Sequence, residues 1–167
     1  MRRIPTALSL LLTVAIAGCA LTPTLESYRP KNADEKAIVS TLVKIPYGIK
    51  DKALDVLLLP YAGDVYVGNF NKYLGAAGPF APLTISRAEL RSLYTELFRS
   101  SKSLSMDVKN FRLNVTGERA VAFARTELLL TGEGGKPQEK ERLYINDVTW
   151  RMRRTAAGWK IVEEIWD

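Results

Sequence analysis

Histidine is missing altogether from this chain of 167 residues, and cysteine occurs once. Without histidine there is no side chain that titrates near neutral pH unaided, and Ser-His-Asp or Cys-His catalysis is excluded. One thiol cannot form a disulfide within the chain, and a dedicated zinc site would lack its usual ligands, so no metal or other cofactor is expected. No uncharged apolar run reaches the roughly 20 residues of a membrane-spanning helix. The longest of them, Ile4 to Gly18, falls short of that length.

That run follows Arg2 and Arg3, and the pair reads as the basic start and apolar centre of a secretory signal. The tetrad Ile16-Ala17-Gly18-Cys19 closes it and resembles the lipobox of bacterial lipoproteins: a branched apolar residue, two small residues, and a thiol to receive diacylglycerol. Cleavage before Cys19 would leave it as a lipidated N-terminus, with several acyl chains giving stable attachment where one would not. The expected address is the bacterial cell envelope, anchored by lipid and facing the periplasm. Ala20, in place of an aspartate, favours the outer membrane over the inner.

Lysine and arginine exceed aspartate and glutamate by six, and loss of residues 1–18 lowers the net charge to +4. An excess of that size suits a solvated face near anionic lipid or cell wall, and no nucleic-acid partner is expected. Residues 19–33 comprise the lipidated cysteine and a proline-bearing tether, and residues 34–167 are long enough for one domain with one core.

Within that domain Ala37, Ile38, Thr41, Leu42, Ile45 and Ile49 follow helical spacing, with Pro46 and Gly48 bending or ending the helix. A second short helix is expected behind Asp51 as N-cap, carrying Leu54, Leu57 and Leu58 and stopping at Pro60. Residues 64–67, DVYV, read as a strand, and a Gly/Pro-rich loop runs from Gly68 to Pro82. Ser86 and Glu89 stand at capping-box spacing ahead of a helix with Leu90, Leu93, Tyr94, Leu97 and Phe98 on one face.

From there the period changes to two. Leu104, Met106 and Val108 alternate in one phase and Phe111, Leu113 and Val115 in the other, which requires a bulge near Lys109-Asn110. Turns at Thr116-Gly117-Glu118, in GEGGKPQEK and at Ala157-Gly158 separate four long strands. Helices followed by an antiparallel meander predict an α+β fold, with the helices packed on one face of a curved sheet.

The stretches LDVLLLPYAGDVYV, SRAELRSLYTELF, NVTGERAVAFARTELLLTG and TWRMRRTAAGWKIVEEIW, in that order behind an opening helix, resemble the NTF2-like superfamily, also called the SnoaL-like or cystatin-like α+β cone. The resemblance spans the chain from Asp34 onward. It implies a sheet wrapped around the first helix, a conical pocket open at one end, and homodimers through the sheet. It implies no single activity, because such cones host isomerases, dehydratases, cyclases and epoxide hydrolases as well as transport factors and secretion scaffolds. Where many relatives carry a histidine after the closing tryptophan, this chain has Val162-Glu163-Glu164-Ile165.

Carboxylates and arginines are the remaining candidates for chemistry. The resemblance implies that Asp64 stands at the family's pocket mouth, where a carboxylate can act as a base; the alternative, which is preferred, is a strand-entry carboxylate that hydrogen-bonds its own backbone. Arg125 and Glu127 share one strand face, and Asp147 with Thr149 and Arg151 share another. If both faces point inward they form an acid–base cluster, whereas cross-strand ion pairing on the solvent or dimer face is the preferred alternative. Tyr47, Tyr61, Tyr66 and Tyr94 are the candidate lining of a pocket for an apolar ligand. Two functions follow: a non-catalytic lipid-anchored module that binds an envelope protein or small apolar ligand, which is preferred, or a periplasmic isomerase, dehydratase or hydrolase that works with carboxylates in the cone.

Overall fold

A computed structural model describes residues 23–73, 84–132 and 141–167. The signal stretch, Cys19, most of the Gly68–Pro82 loop and most of GEGGKPQEK lie outside the described residues. Helices α1 (Ala33–Leu42), α2 (Lys44–Lys50) and α3 (Leu54–Leu58) lead into β1 (Tyr61–Gly68). The turn α4 (Phe70–Tyr73), the short β2 (Thr84–Ile85) and helix α5 (Arg87–Ser100) follow. Strands β3 (Ser103–Thr116), β4 (Arg119–Thr131), β5 (Glu141–Thr155) and β6 (Gly158–Trp166) complete the chain.

The sheet order is β2-β1-β6-β5-β4-β3. Strands β3 to β6 form the expected antiparallel meander, and β1 joins its far side parallel to β6. Alternation along the strands sends one set of side chains toward the helices: Leu104, Met106 and Val108 from β3, Ala120, Ala122 and Ala124 from β4, Val148, Trp150 and Met152 from β5. They meet Ile38, Leu42, Ile49, Leu57, Leu90 and Tyr94 in one core. Ala122 pairs with Trp150 across the ladder, so a small side chain stands beside the largest one.

The phase change in β3 is absorbed where the alternation requires it. The β3–β4 register shifts between Lys109 and Arg112, and Asn110 has φ of +54°, a left-handed conformation that asparagine tolerates better than most residues. Phe111, within the shifted stretch, is buried on the inner face. At α5 the Ser86 hydroxyl accepts from the Glu89 N–H at 3.3 Å, and the Glu89 carboxylate accepts from the Ser86 N–H at 2.6 Å, a complete capping box.

Two local expectations are corrected. Asp51 is not the N-cap of α3; it closes α2, and the chain turns through Lys52 at φ +52° before α3 begins without a side-chain cap. The corner is tight because Gly48 lies against α3, where an added Cβ would stand 2.6 Å from the Leu57 Cα. Nor is the whole of residues 19–33 a free tether. From Pro23 on it is packed: the Leu25 N–H donates to the Val108 carbonyl, the Phe111 N–H donates to the Pro23 carbonyl, and Leu25 is buried. Tyr28 meets Phe111 edge-on at 5.0 Å between centroids, and its hydroxyl donates to Glu35 at 2.9 Å. Composition suggested a linker because the segment is short and proline-bearing, yet its two apolar side chains suffice to dock it on the β3 edge.

Candidate functional site

The same alternation that builds the core decides where the candidate residues point. On β4 the alanines of the inner face are even-numbered, so Arg125 and Glu127 emerge on the outer face, and on β5 Asp147 emerges beside them. Arg125 and Asp147 are cross-strand partners, and Nε and Nη2 of the guanidinium donate to the two carboxylate oxygens at 2.9 and 3.1 Å. This pairing, first through the hydrogen bonds, lowers the pKa of Asp147 and raises that of Arg125. Glu127 is bound by the Lys109 ammonium, whose own pKa is raised by that contact. Arg151 and Glu163 form a third pair on the same face.

Asp64 joins none of these. It projects from β1 opposite in parity to Val65 and Val67, stays largely exposed, and lies 3.8 Å from Arg153. Of the two arrangements open from the sequence, the structure has the preferred one, an outward array of cross-strand ion pairs, and the conditional inward cluster of Arg125, Glu127 and Asp147 is not formed; Asp64 stands apart from the array. The four tyrosines also divide: Tyr61 and Tyr94 are buried, whereas Tyr47 and Tyr66 are about half exposed, at 54% and 48%.

Around the Arg125–Asp147 pair the outer face is hollowed into a groove of about 460 Å³, lined by Asn110, Arg112, Phe123, Arg125, Asp147, Thr149 and Asp167 among others. The bulge in β3 opens one side of it. Backbone hydrogen bonds in both directions between Asp147 and Asp167 fix the other. Phe123 stands 46% exposed on this face, and the apolar side chains Leu143 and Ile145 are exposed in odd register with it on β5. An aromatic floor flanked by two guanidiniums and two carboxylates is suited to polar and apolar contacts with another surface.

One carboxylate does lie inside. Glu164 is fully buried and accepts three hydrogen bonds, from the Tyr61 hydroxyl at 2.8 Å, the Trp150 indole at 2.7 Å and the Trp166 indole at 3.0 Å. Burial pushes its pKa up to about 6, against the pull of those three donors. Strict alternation from the buried Trp159 and Ile161 would put the even-numbered Glu164 on the outer face. The register slips between Arg151 and Met152, opposite Val162, and brings Glu164 and Trp166 inside instead. Trp159 and Trp166, both apolar and of unlike parity, were the sequence signal for that slip. Among the described residues no cluster of Cys, Asp or Glu is arranged to hold a metal ion.

No protein-family model matches the sequence, and no curated protein does. Solved structures do match by shape. A proposed aromatic ring hydroxylase from Novosphingobium aromaticivorans shares 18% identity at a TM-score of 0.65, covering 80% of this chain and 87% of its own. A proposed dehydratase of the NTF2-like family from Streptomyces avermitilis shares 16% at 0.63, covering 80% and 94%. A proposed calcium/calmodulin-dependent protein kinase II association domain from Xanthomonas campestris shares 10% at 0.60, covering 83% and 90%. The fold is NTF2-like, as the sequence resemblance implied. At these identities it is the fold that is shared, and that fold serves proteins named for catalysis and for association alike.

Proposed function

We propose that this is a lipid-anchored protein of the bacterial envelope, held at Cys19 and facing the periplasm, whose NTF2-like domain is a non-catalytic module that binds a protein partner on the outer face of its sheet. One observation carries the reading. Arg125, Glu127 and Asp147 are all on the outer face and all committed to ion pairs, beside exposed Phe123, so what resembled an acid–base set is a contact surface. The anchor is read from the basic start, the apolar run and the Ile16-Ala17-Gly18-Cys19 tetrad, with Ala20 favouring the outer membrane. A second copy of the chain or a small apolar ligand are the other occupants the surface would accept.

The test is a photo-crosslinking residue placed at Phe123 in cells making the full chain, with the same residue at Lys36 as control. One discrete protein adduct from position 123, lost on Arg125→Glu and absent from position 36, is the expected result. Its mass separates a homodimer from another partner. No adduct, or equal adducts from both positions, overturns the reading. A Cys19→Ser variant tests the anchor alone, since it should remain an uncleaved precursor and leave the lipidated fraction.

A second reading, a periplasmic isomerase, dehydratase or hydrolase, draws on Glu164. A carboxyl inside the cone with a pKa near 6 is poised to exchange a proton near neutral pH. It would need the cone to open, since Glu164 is sealed by Tyr61, Trp150 and Trp166. Turnover of a ring-bearing substrate abolished by Glu164→Gln, with the outer face unmodified, would establish this reading over the first.

A further inference from the structure

We propose that the docked segment from Pro23 to Asn32 holds the β3 edge of the domain against the headgroups of an anionic bilayer, so that the protein works at the membrane surface and not at the end of a leash. The proposal rests on the lipid anchor at Cys19 argued above. Two backbone hydrogen bonds, Leu25 to Val108 and Phe111 to Pro23, grip β3 just before and within its bulge. Leu25 is buried at 1% exposure, and Glu35 ties the segment to α1 by accepting from both the Tyr28 hydroxyl and the Lys31 N–H.

Docking sets the length of the connection. If the whole stretch to Ala33 were free, its reach from Cys19 would be about 50 Å; with Pro23 fixed, four peptide steps allow roughly 15 Å between the two Cα positions. The headgroup layer itself is about 5–7 Å thick on each side of the hydrocarbon. A lipidated Cys19 at that layer therefore keeps Pro23 and the β3 bulge beside it within reach of the headgroups.

The surface so presented has a matching charge. Arg29, Lys31 and Lys36 are exposed and make no ion pair among the described residues. Of the acids nearby, Glu35 is buried under Tyr28 and Asp34 is bound by Arg154, which leaves Glu26 exposed on the segment and Asp107 exposed beside it on β3, next to Lys109. Each lysine or arginine near an anionic leaflet adds to attraction that falls off within a Debye length. The outer groove shares Asn110 and Arg112 with this edge. A partner seated there would consequently be met close to the bilayer.

The experiment uses the lipidated full chain in vesicles of phosphatidylethanolamine and phosphatidylglycerol, with nitroxide-headgroup lipid as the quencher. A lipidated Cys19 has no free thiol, so a single introduced cysteine takes the fluorophore. Arg29→Cys reports on the docked segment, and it removes a positive charge, a bias against the expected result. Thr84→Cys reports on β2, the opposite edge, about 24 Å away across five strand spacings. Quenching at least threefold stronger at position 29 than at 84 is expected. A flexible insertion of about 20 residues between Thr22 and Pro23, which leaves the docking contacts untouched, should bring the two to within a factor of about 1.5. Equal quenching in the uninserted protein, or stronger quenching at 84, overturns the proposal. Failure of the anchor itself is seen separately, as a parent protein that reacts with maleimide at Cys19 and does not co-float with vesicles, and that removes both readings.

Discussion

Glu164 and Trp150 face each other across the β5–β6 ladder, and the indole N–H donates to the carboxylate at 2.7 Å. With Tyr61 on β1 and Trp166 beside it on β6, this one carboxylate links three strands at the centre of the sheet. Burial nonetheless wins over the three donors, because the folded pKa stands near 6 against an ordinary 4.5. The folded protein thus keeps, between about pH 4.5 and 6, a proton that the unfolded chain releases. By linkage, stability falls as pH rises through that window, by about 2 kcal/mol in all. Urea unfolding of the parent and of Glu164→Gln at pH 4 and 7.5 checks this. The advantage of the parent over the variant should shrink by about that amount at the higher pH, and a pH-independent difference would contradict it.

Ser86 and Glu89 satisfy each other's backbone N–H groups at the start of α5. Ser86→Ala removes one of the two side-chain acceptors of this capping box, and a loss of about 0.5–2 kcal/mol is expected in the unfolding free energy. Ser86→Asp should recover most of it, since an aspartate caps as well and suits the helix dipole.

These two sites differ in how far the sequence disclosed them. Ser86 and Glu89 interact over three residues, and local spacing was enough to place them. The β3 bulge was legible for the same reason, as Val108 and Phe111 break the alternation by one step. Glu164 depends on a slip opposite Val162 that only the β5 partner strand defines, and the outward parity of Arg125 and Asp147 depends on which face meets the helices. Neither is a property of the strand's own sequence. The docking of Leu25 on Val108 joins residues 83 positions apart, beyond the reach of any periodic pattern.

Asn110 supplies the left-handed residue that the bulge needs. A β-branched side chain suffers most in that conformation, so Asn110→Val should be less stable than Asn110→Gly by about 1–2 kcal/mol. Comparing the two variants with each other cancels what both lose from the asparagine side chain. Equal unfolding midpoints would mean that the bulge relocates.

Arg125 and Asp147 form a well-aligned pair, yet one that solvent reaches at both ends, with side-chain exposures of 48% and 56%. Exposed pairs of this kind contribute little to folding. Arg125→Ala should leave the unfolding midpoint within the scatter of ordinary surface substitutions while abolishing the crosslink from position 123. A large drop in midpoint would reassign the pair from contact surface to scaffold.

Leu25 decides whether the segment ahead of α1 belongs to the domain. Its side chain is 1% exposed and packs in the same core as Phe111 and Val108. Truncation of a buried leucine removes its transfer free energy and leaves a cavity, so Leu25→Ala should cost about 2–5 kcal/mol. A linker residue would cost nothing measurable. A chain beginning at Pro23 should match the longer protein in stability, while one beginning at Ala33 should lose at least as much as Leu25→Ala, since it also forfeits the Tyr28–Phe111 contact and the Asn32 cap of α1. If the shorter chain were as stable as the longer, the segment would be a tether after all and the distance between the domain and its anchor would no longer be fixed by β3.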